Sequence, residues 1–461
     1  MRKALRRNKA SVVPKSRESQ TEVPPSRTEC EDHRPASAAW DNLQNSKTLD
    51  TLKSKDPTLP MSLAEPIEDV ARSHFLLSFI RGSHFDYLSS LYASYESDMP
   101  LYTSVQASAL ACLSRELREP RLMKAARFRY GHALSVTNSA LRSRTQASLD
   151  STLIAVLLLS FFERTAHEGG QSPEGWARHA DGAVALLVLR GMKQLETPLG
   201  CQLFIQVSRL IRITCVQRQI RVPTEFLELR AQASAFLKVD DWNLQLAHIV
   251  DEVADLRADA AESSAIRDEG ALAQKAVATD RAAVQLLSHI PDCWRYEVVN
   301  ADDISAFALQ GQMHIYPDHH VAHFWNSIRS MRLFLNEILY EKVCSTITAW
   351  DASSGGTIPT HLFWLKGLAR VNVQQVAEDI CASVPQFIRD SQTKPPALSL
   401  TVAAASFLLW PLSLAGSSSL VSEPVRKYAG ERLHQLGVAA RVPQASGTTQ
   451  IVNDASFSRD W

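Results

Sequence analysis

The sequence predicts an all-α fold: a large irregular helical bundle behind a disordered N-terminal arm. Three observations carry this expectation. From Met61 onward apolar residues recur at spacings of three and four, while the strict alternation that marks strands is scarce. Prolines such as Pro120, Pro173, Pro198, Pro223, Pro359 and Pro424 fall between the periodic segments, where a residue without an N–H starts or stops a helix. Residues 1–60 are polar and proline-rich, so little burial would offset the entropy of ordering them. No strict repeat of the length used by solenoids is visible.

The arm opens on Arg2, Lys3, Arg6, Arg7, Lys9, Lys15 and Arg17, all before the first acid, Glu18. Two readings stand side by side: a nuclear-import patch or linker remnant, and a solvated tail with no address. A mitochondrial presequence is disfavoured, because Leu5 is the one good apolar anchor near the start.

The helices follow in order. One is predicted over Arg121–Leu141 and the next over Ser148–His167, with Ser148 or Asp150 as its cap. The second is apolar on all sides from Leu153 to Phe162, which places it mid-bundle. A helix over Pro173–Arg190 has Ser172 at the N-cap position, Pro173 at the first helical position, Glu174 at the positive end and Gly191 just past the last turn. Another starts near His320, with Val321, Phe324, Trp325, Ile328, Met331, Leu335, Ile338 and Leu339 on its apolar face. Val402–Ala415 reads as a core helix interrupted by Pro411. The last runs Glu423–Leu436, with Val425, Tyr428, Arg432, Leu433 and Leu436 on one side and Gly437 as its stop. Ala260–Gln274 and the Gly-Ser stretch Ala352–Thr360 are expected to be loosely ordered.

Composition bounds the function. The chain has 461 residues, 49 basic and 49 acidic, and 45% of it is apolar. That length allows several domains; the pattern divides it into an arm (1–60), a helical regulatory domain (61–443) and a tail (444–461). Zero formal net charge argues against coating nucleic acid along the whole chain. No uninterrupted apolar run reaches the length of a membrane span, so no membrane is expected among the partners. Cys30, Cys112, Cys201, Cys215, Cys293, Cys344 and Cys381 lie far apart, which excludes a compact disulfide framework and any CxxC metal knuckle. They fit free thiols in a reducing compartment.

No phosphate loop, GxGxxG, GxSxG or HExxH is present, and no residue stands out as a catalytic nucleophile or base. The richest polar cluster is His314, His319, His320 and His323. His319 and His323, four apart, would share a helix face as zinc ligands can, with Asp318 or His314 as a third ligand. The favoured reading is a helix start capped by Asp318, with the imidazoles at the surface or against Trp325. The carboxylate pairs Asp240–Asp241 and Asp302–Asp303 are expected at helix starts. No cofactor, metal site or enzymatic activity is assigned.

The informative segment is Glu174 to Gly191, one amphipathic helix in which Trp176, His179, Ala183, Leu186, Leu187 and Arg190 recur at helical spacing. Gly182 and Ala183 would give a thin face for close helix approach. Arg190 would reach last-turn carbonyls or an acidic neighbour, and Gly191 would permit a left-handed exit. Periodicity alone specifies no more than a packed helix.

This segment resembles a hallmark of the fungal-specific transcription factor domain, the helical regulatory region of binuclear zinc-cluster regulators. There a helix ending Leu-x-x-x-Glu precedes W-x-x-H-x-x-G-A-x-x-L-L-x-x-R-G. Leu158 to Arg164, containing Glu163, resembles the first element; Trp176, His179, Gly182, Ala183, Leu186, Leu187, Arg190 and Gly191 match the second. Phe324–Arg332 is similar to a W-N-x-x-R-x-x-R element, Ala404–Leu412 to an apolar Trp-Pro-Leu helix, and Arg432–Gly437 to a late helix end.

The resemblance implies an all-α regulatory domain in the nucleus, with a cytoplasmic location as the alternative. It would control transcription through contacts with the transcription machinery or a dimer partner, and through a small effector held between helices. Family members commonly carry six closely spaced cysteines that hold zinc and read DNA; here Cys30 alone precedes Cys112. The zinc cluster is therefore expected to be absent from this chain and direct DNA binding by it is not expected, which leaves a DNA-independent adaptor as the alternative function.

Overall fold

The computed structural model describes residues 66–439, apart from 81–82, 92–98, 167–173, 238–240, 263–268, 301–307, 355–356 and 394–401. The predicted arm and the tail from 444 lie outside the described residues. Everything described belongs to one compact unit within Met61–Trp461. Among the described residues the fold is all-α, with one two-stranded ladder.

Helix α1 (Ile67–Phe75) continues into a wide π turn, Leu76–Ile80, and the short α2 (Leu88–Leu91) follows. Helix α3 (Met99–Leu117) is buried almost all round, because α1, α4 (Pro120–Leu141) and α6 (Asp150–Ala166) pack on it from different sides. Such a helix cannot be amphipathic, and its run of Ala, Ser and Leu matches that surround. Helix α4 begins where the sequence places it: Pro120 takes the first helical position and the Glu119 carboxylate accepts from the Arg121 N–H. The four-residue α5 (Arg144–Ala147) leads into α6.

Leu153 to Ser160 of α6 are all buried, as is Phe162. Each fully buried Leu or Phe contributes about 1.5–3 kcal/mol relative to leaving it in water. Helix α7 (Glu174–Arg190) and α8 (Pro198–Arg218) pack beside α6, with a 3₁₀ turn, Gly191–Glu196, between them. Gly200 in the first turn of α8 lies so close to that turn that a Cβ would sit 1.7 Å from the Gln194 carbonyl oxygen. Only glycine permits this approach.

The chain continues through α9 (Thr224–Ala233), α10 (Asp241–Ala261) and α11 (Glu269–Ser288). Strands β1 (Glu297–Asn300) and β2 (Gln312–Ile315) pair antiparallel, with Glu297 opposite Ile315. The 36-residue α12 (His319–Ser354) borders both hydrophobic cores. The larger core gathers α1 to α12; the smaller lies between α12, α13 (Thr360–Thr393), α14 (Val402–Ser417) and α15 (Glu423–Ala439).

Four expectations need correction. Gly437 does not stop α15, which continues to Ala439. The stretch from Ala352 is helical through Ser354, and α13 begins at Thr360, so the predicted loop shrinks to a short connection. Within Ala260–Gln274, α10 reaches Ala261 and α11 starts at Glu269, burying Leu272 and Ala273. A local window underestimates burial there because α12 supplies the covering surface. Finally, α8 is long and apolar enough by length and composition to cross a membrane, although it carries charges. In the bundle it buries Leu203, Phe204, Val207, Ile211 and Cys215, and Arg212 bonds Asp251 of α10 at 2.9 Å. Its apolarity is used within this core.

Candidate functional site

The residues of the sequence motif sit on α7, and their partners sit on α6. Ala180, Ala183, Val184, Leu186 and Leu187 face the core, while Arg178, Asp181, Ala185 and Val188 face out. The Trp176 backbone is helical and its side chain lies outside the described residues. Gly182 departs from expectation: it is exposed, and a Cβ there would meet nothing within 4 Å. The thin face is therefore Ala183 alone. Gly191 follows the last turn with φ +56°, the left-handed exit that glycine favours. Past it, Gln194 Nε2 donates to the carbonyls of Leu187 at 2.9 Å and Gly191 at 2.6 Å. That satisfies carbonyls which a helix end leaves without partners; no periodic signal marks Gln194 for this task.

Helices α6 and α7 run antiparallel and are pinned at both ends. Near the start of α7, His179 Nε2 lies 3.1 Å from Glu163 Oε1. The same Glu163 oxygen accepts the Tyr130 hydroxyl proton from α4, and the Tyr130 ring stacks on Phe162 with centroids 4.3 Å apart. Burial acts to raise the Glu163 pKa, but the hydrogen bonds from His179 and Tyr130 outweigh it and hold the carboxyl below its ordinary value. Burial raises the Tyr130 phenol, and the neighbouring carboxylate adds to the effect, so it stays a donor. At the other end Arg190 forms an ion pair with Asp150. The Arg190 side chain is 5% exposed, and Asp150 supplies the counter-charge that a buried guanidinium needs. Asp150, read from sequence as a cap, serves here in the first turn of α6 as the acidic neighbour of Arg190.

The histidine cluster disperses. Asp318 caps α12 as read from sequence, its Oδ1 accepting from the Val321 N–H at 2.8 Å. His319 stacks on Phe387 with centroids 4.6 Å apart, and His323 stacks on Phe407 at 4.5 Å. The two imidazoles thus face different aromatic partners. Among the described residues no group of three or more His, Cys, Asp or Glu could hold a metal ion. Asp240, Asp302 and Asp303 lie outside the described residues; Asp241 opens α10.

His314 belongs to a second polar centre around Arg329 of α12, the first of the two arginines in the Trp-Asn-containing segment. Arg329 is 2% exposed. Its Nη1 donates to the Tyr316 hydroxyl at 2.5 Å and to Asn326 Oδ1 at 3.0 Å. Its Nη2 lies 3.2 Å from His314 Nδ1. The Tyr296, Trp325 and Tyr316 rings surround the guanidinium. Burial and the Arg329 charge push His314 down to about 3, so its neutral ring accepts at Nδ1. Gln386 of α13 completes the tie to the ladder, accepting from the Tyr316 N–H at 2.7 Å and donating to its carbonyl at 2.9 Å. This centre orients elements; it does not present an acid and a base to solvent. The buried thiols are equally unsuited to nucleophilic work: burial raises Cys215 to about 12 and Cys112 and Cys381 well above the ordinary thiol.

No family model, no curated protein and no solved structure matches this chain.

Proposed function

We propose that residues 61–443 form a helical regulatory domain of the fungal zinc-cluster transcription factor type, acting on transcription through protein contacts. One observation supports the reading above the rest. The two sequence elements that resemble the family's hallmark meet in space: Glu163 of the first bonds His179 of the second, and Arg190 of the second pairs with Asp150 at the head of the first helix. Residues separated along the chain thus form one packed unit.

The reading is tested by fusing the chain to a heterologous DNA-binding domain in a fungal host carrying a matching reporter. Altered reporter output with nuclear enrichment of the unfused chain is the expected result. An unchanged reporter and a cytoplasmic chain would overturn it. Stable co-purifying partners without promoter occupancy would favour the adaptor, a reading that the lone Cys30 ahead of Cys112 keeps in view.

A further inference from the structure

Helix α13 carries apolar residues on both sides of its first three turns. Its inner side is fixed. Leu362 and Leu365 pack against the larger core, and Ala369 is fully buried in it. The Lys366 ammonium lies 5.4 Å from the centre of the Tyr340 ring of α12, and Asn372 Nδ2 donates to Asn336 Oδ1 of α12 at 2.9 Å. Turning α13 to bury its other side would break these packed and hydrogen-bonded contacts.

The outer side bears Phe363, Trp364, Leu368 and Val371, exposed by 51%, 64%, 36% and 65%. Trp364, Leu368 and Val371 follow one another at steps of four and three, so they line one stripe. Ala369 and Val373, both fully buried, mark the opposite side. One turn further on the outward positions are polar: Gln375 is exposed, and Gln374 Nε2 donates to Glu378 and Ser422. Other exposed large apolar side chains, such as Leu77, Phe128 and Phe236, are scattered. Single exposed apolar residues are ordinary, whereas a contiguous patch marks a contact surface.

Gly367 lies within this patch, one turn from Phe363 and Trp364 on one side and from Val371 on the other. A Cβ there would meet nothing within 4 Å. No neighbouring atom demands glycine at that place, and glycine weakens a helix relative to alanine. It leaves an open notch among bulky apolar groups. The face thus holds both halves of a contact, projecting rings and a hollow that can receive a side chain. The area is also sufficient. The four apolar side chains present on the order of 500 Å². A twofold pair covers that area on both copies, about 1,000 Å² in all, which is where specific interfaces begin. Charge at the edge does not oppose pairing: Arg370 is exposed, forms no ion pair among the described residues, and a guanidinium is attracted to an aromatic face.

We propose that the outer face of α13 is the seam of a homodimer, in which two copies of this chain cross antiparallel at Gly367. Trp364 of each copy then packs against Val371 of the other, and each Arg370 lies by an aromatic ring of the other copy. One patch serves both copies, as a twofold contact requires. Burial of apolar surface drives the association, with no charge at its centre. The inference goes beyond the regulatory reading and stands whether or not the chain acts on transcription.

Sedimentation equilibrium on the full chain, from about 1 to about 100 µM, tests it. That range brackets the micromolar Kd expected at the small end of specific interfaces. The parent is expected to pass from monomer to dimer and no further. Trp364→Glu places a charge in the seam and is expected to weaken dimerisation by about thirtyfold or more, the effect of losing a central aromatic anchor. Gly367→Gln fills the notch with a better helix former and is expected to weaken it several-fold. Both positions face solvent, so both variants should keep the parent Tm at concentrations where the parent is a monomer. Phe128→Glu, at an exposed apolar site on α4, should leave dimerisation unchanged. A monomer throughout the range would overturn the proposal and leave the face to a different protein. A dimer that Trp364→Glu and Gly367→Gln fail to weaken, one that Phe128→Glu weakens as much, or growth beyond the dimer would overturn it as well.

Discussion

Glu163 of α6 and His179 of α7 approach to 3.1 Å, joining two helices at residues sixteen positions apart. Since the carboxylate also accepts from Tyr130 of α4, it holds three helices at one point. Removing it strands two donors at a partly buried place. Glu163→Ala is therefore expected to lower stability by about 1–3 kcal/mol, and Glu163→Gln, which can still accept, by less. A double-mutant cycle of Glu163→Gln with His179→Phe, followed by urea denaturation, should give a coupling of about 0.5–3 kcal/mol. Simple additivity would show that the contact contributes nothing.

The Asp150–Arg190 pair makes an asymmetric prediction. Arg190 is the more buried partner, at 5% exposure against 22%. Asp150→Ala leaves a buried guanidinium without its counter-charge and should cost about 3–5 kcal/mol. Arg190→Met removes the charge with its desolvation penalty and fills the space, so its cost should be clearly smaller. Equal losses in the two variants would contradict burial as the governing effect.

Two glycines of one motif should respond with opposite signs. Gly182→Ala places a methyl in open space on an exposed helix face and is expected to stabilise by about 0.5–1 kcal/mol. Gly191→Ala forces a Cβ into a left-handed conformation and should destabilise by about 1–2 kcal/mol. Thermal melts of both variants decide the matter.

Acid should unfold this protein through its buried imidazoles. His314 and His323 are both held near 3, by burial above all, with Arg329 acting on the first and His84, Arg209 and His320 on the second. An unfolded histidine takes up its proton near 6.5. Between about 6.5 and 3 the unfolded chain binds more protons than the native one, so stability falls as pH falls through that window. Burial raises Glu337 to about 7, which works in the opposite sense between its ordinary value and neutrality. Denaturation of the parent and His314→Asn across this range should show a shallower acid slope in the variant; identical slopes would remove His314 from the account.

What was legible from sequence is what local chemistry dictates. Proline marked the start of α4, Gly191 placed the end of α7, and the apolar run of Leu153–Phe162 announced a helix surrounded by others, while the Glu119 cap was not read from sequence. The face predicted for α12, from Val321 to Leu339, is the one that meets the cores. These features depend on backbone sterics, orphaned helix-end groups and burial summed over a few turns, all of which act within the segment itself.

The partners were decided only by tertiary structure. Asp150 looked like a cap and became the counter-charge of Arg190; Gly182 looked like a contact and faces solvent; His319 and His323 looked like a pair and stack on different rings. Arg329 collects Tyr316, His314 and Asn326, while His84 meets Phe407 from more than three hundred residues away. Helical periodicity specifies which side of a segment is buried but carries no information about which helix covers it. That choice depends on how side chains from distant segments fill a shared volume and satisfy one another's charges.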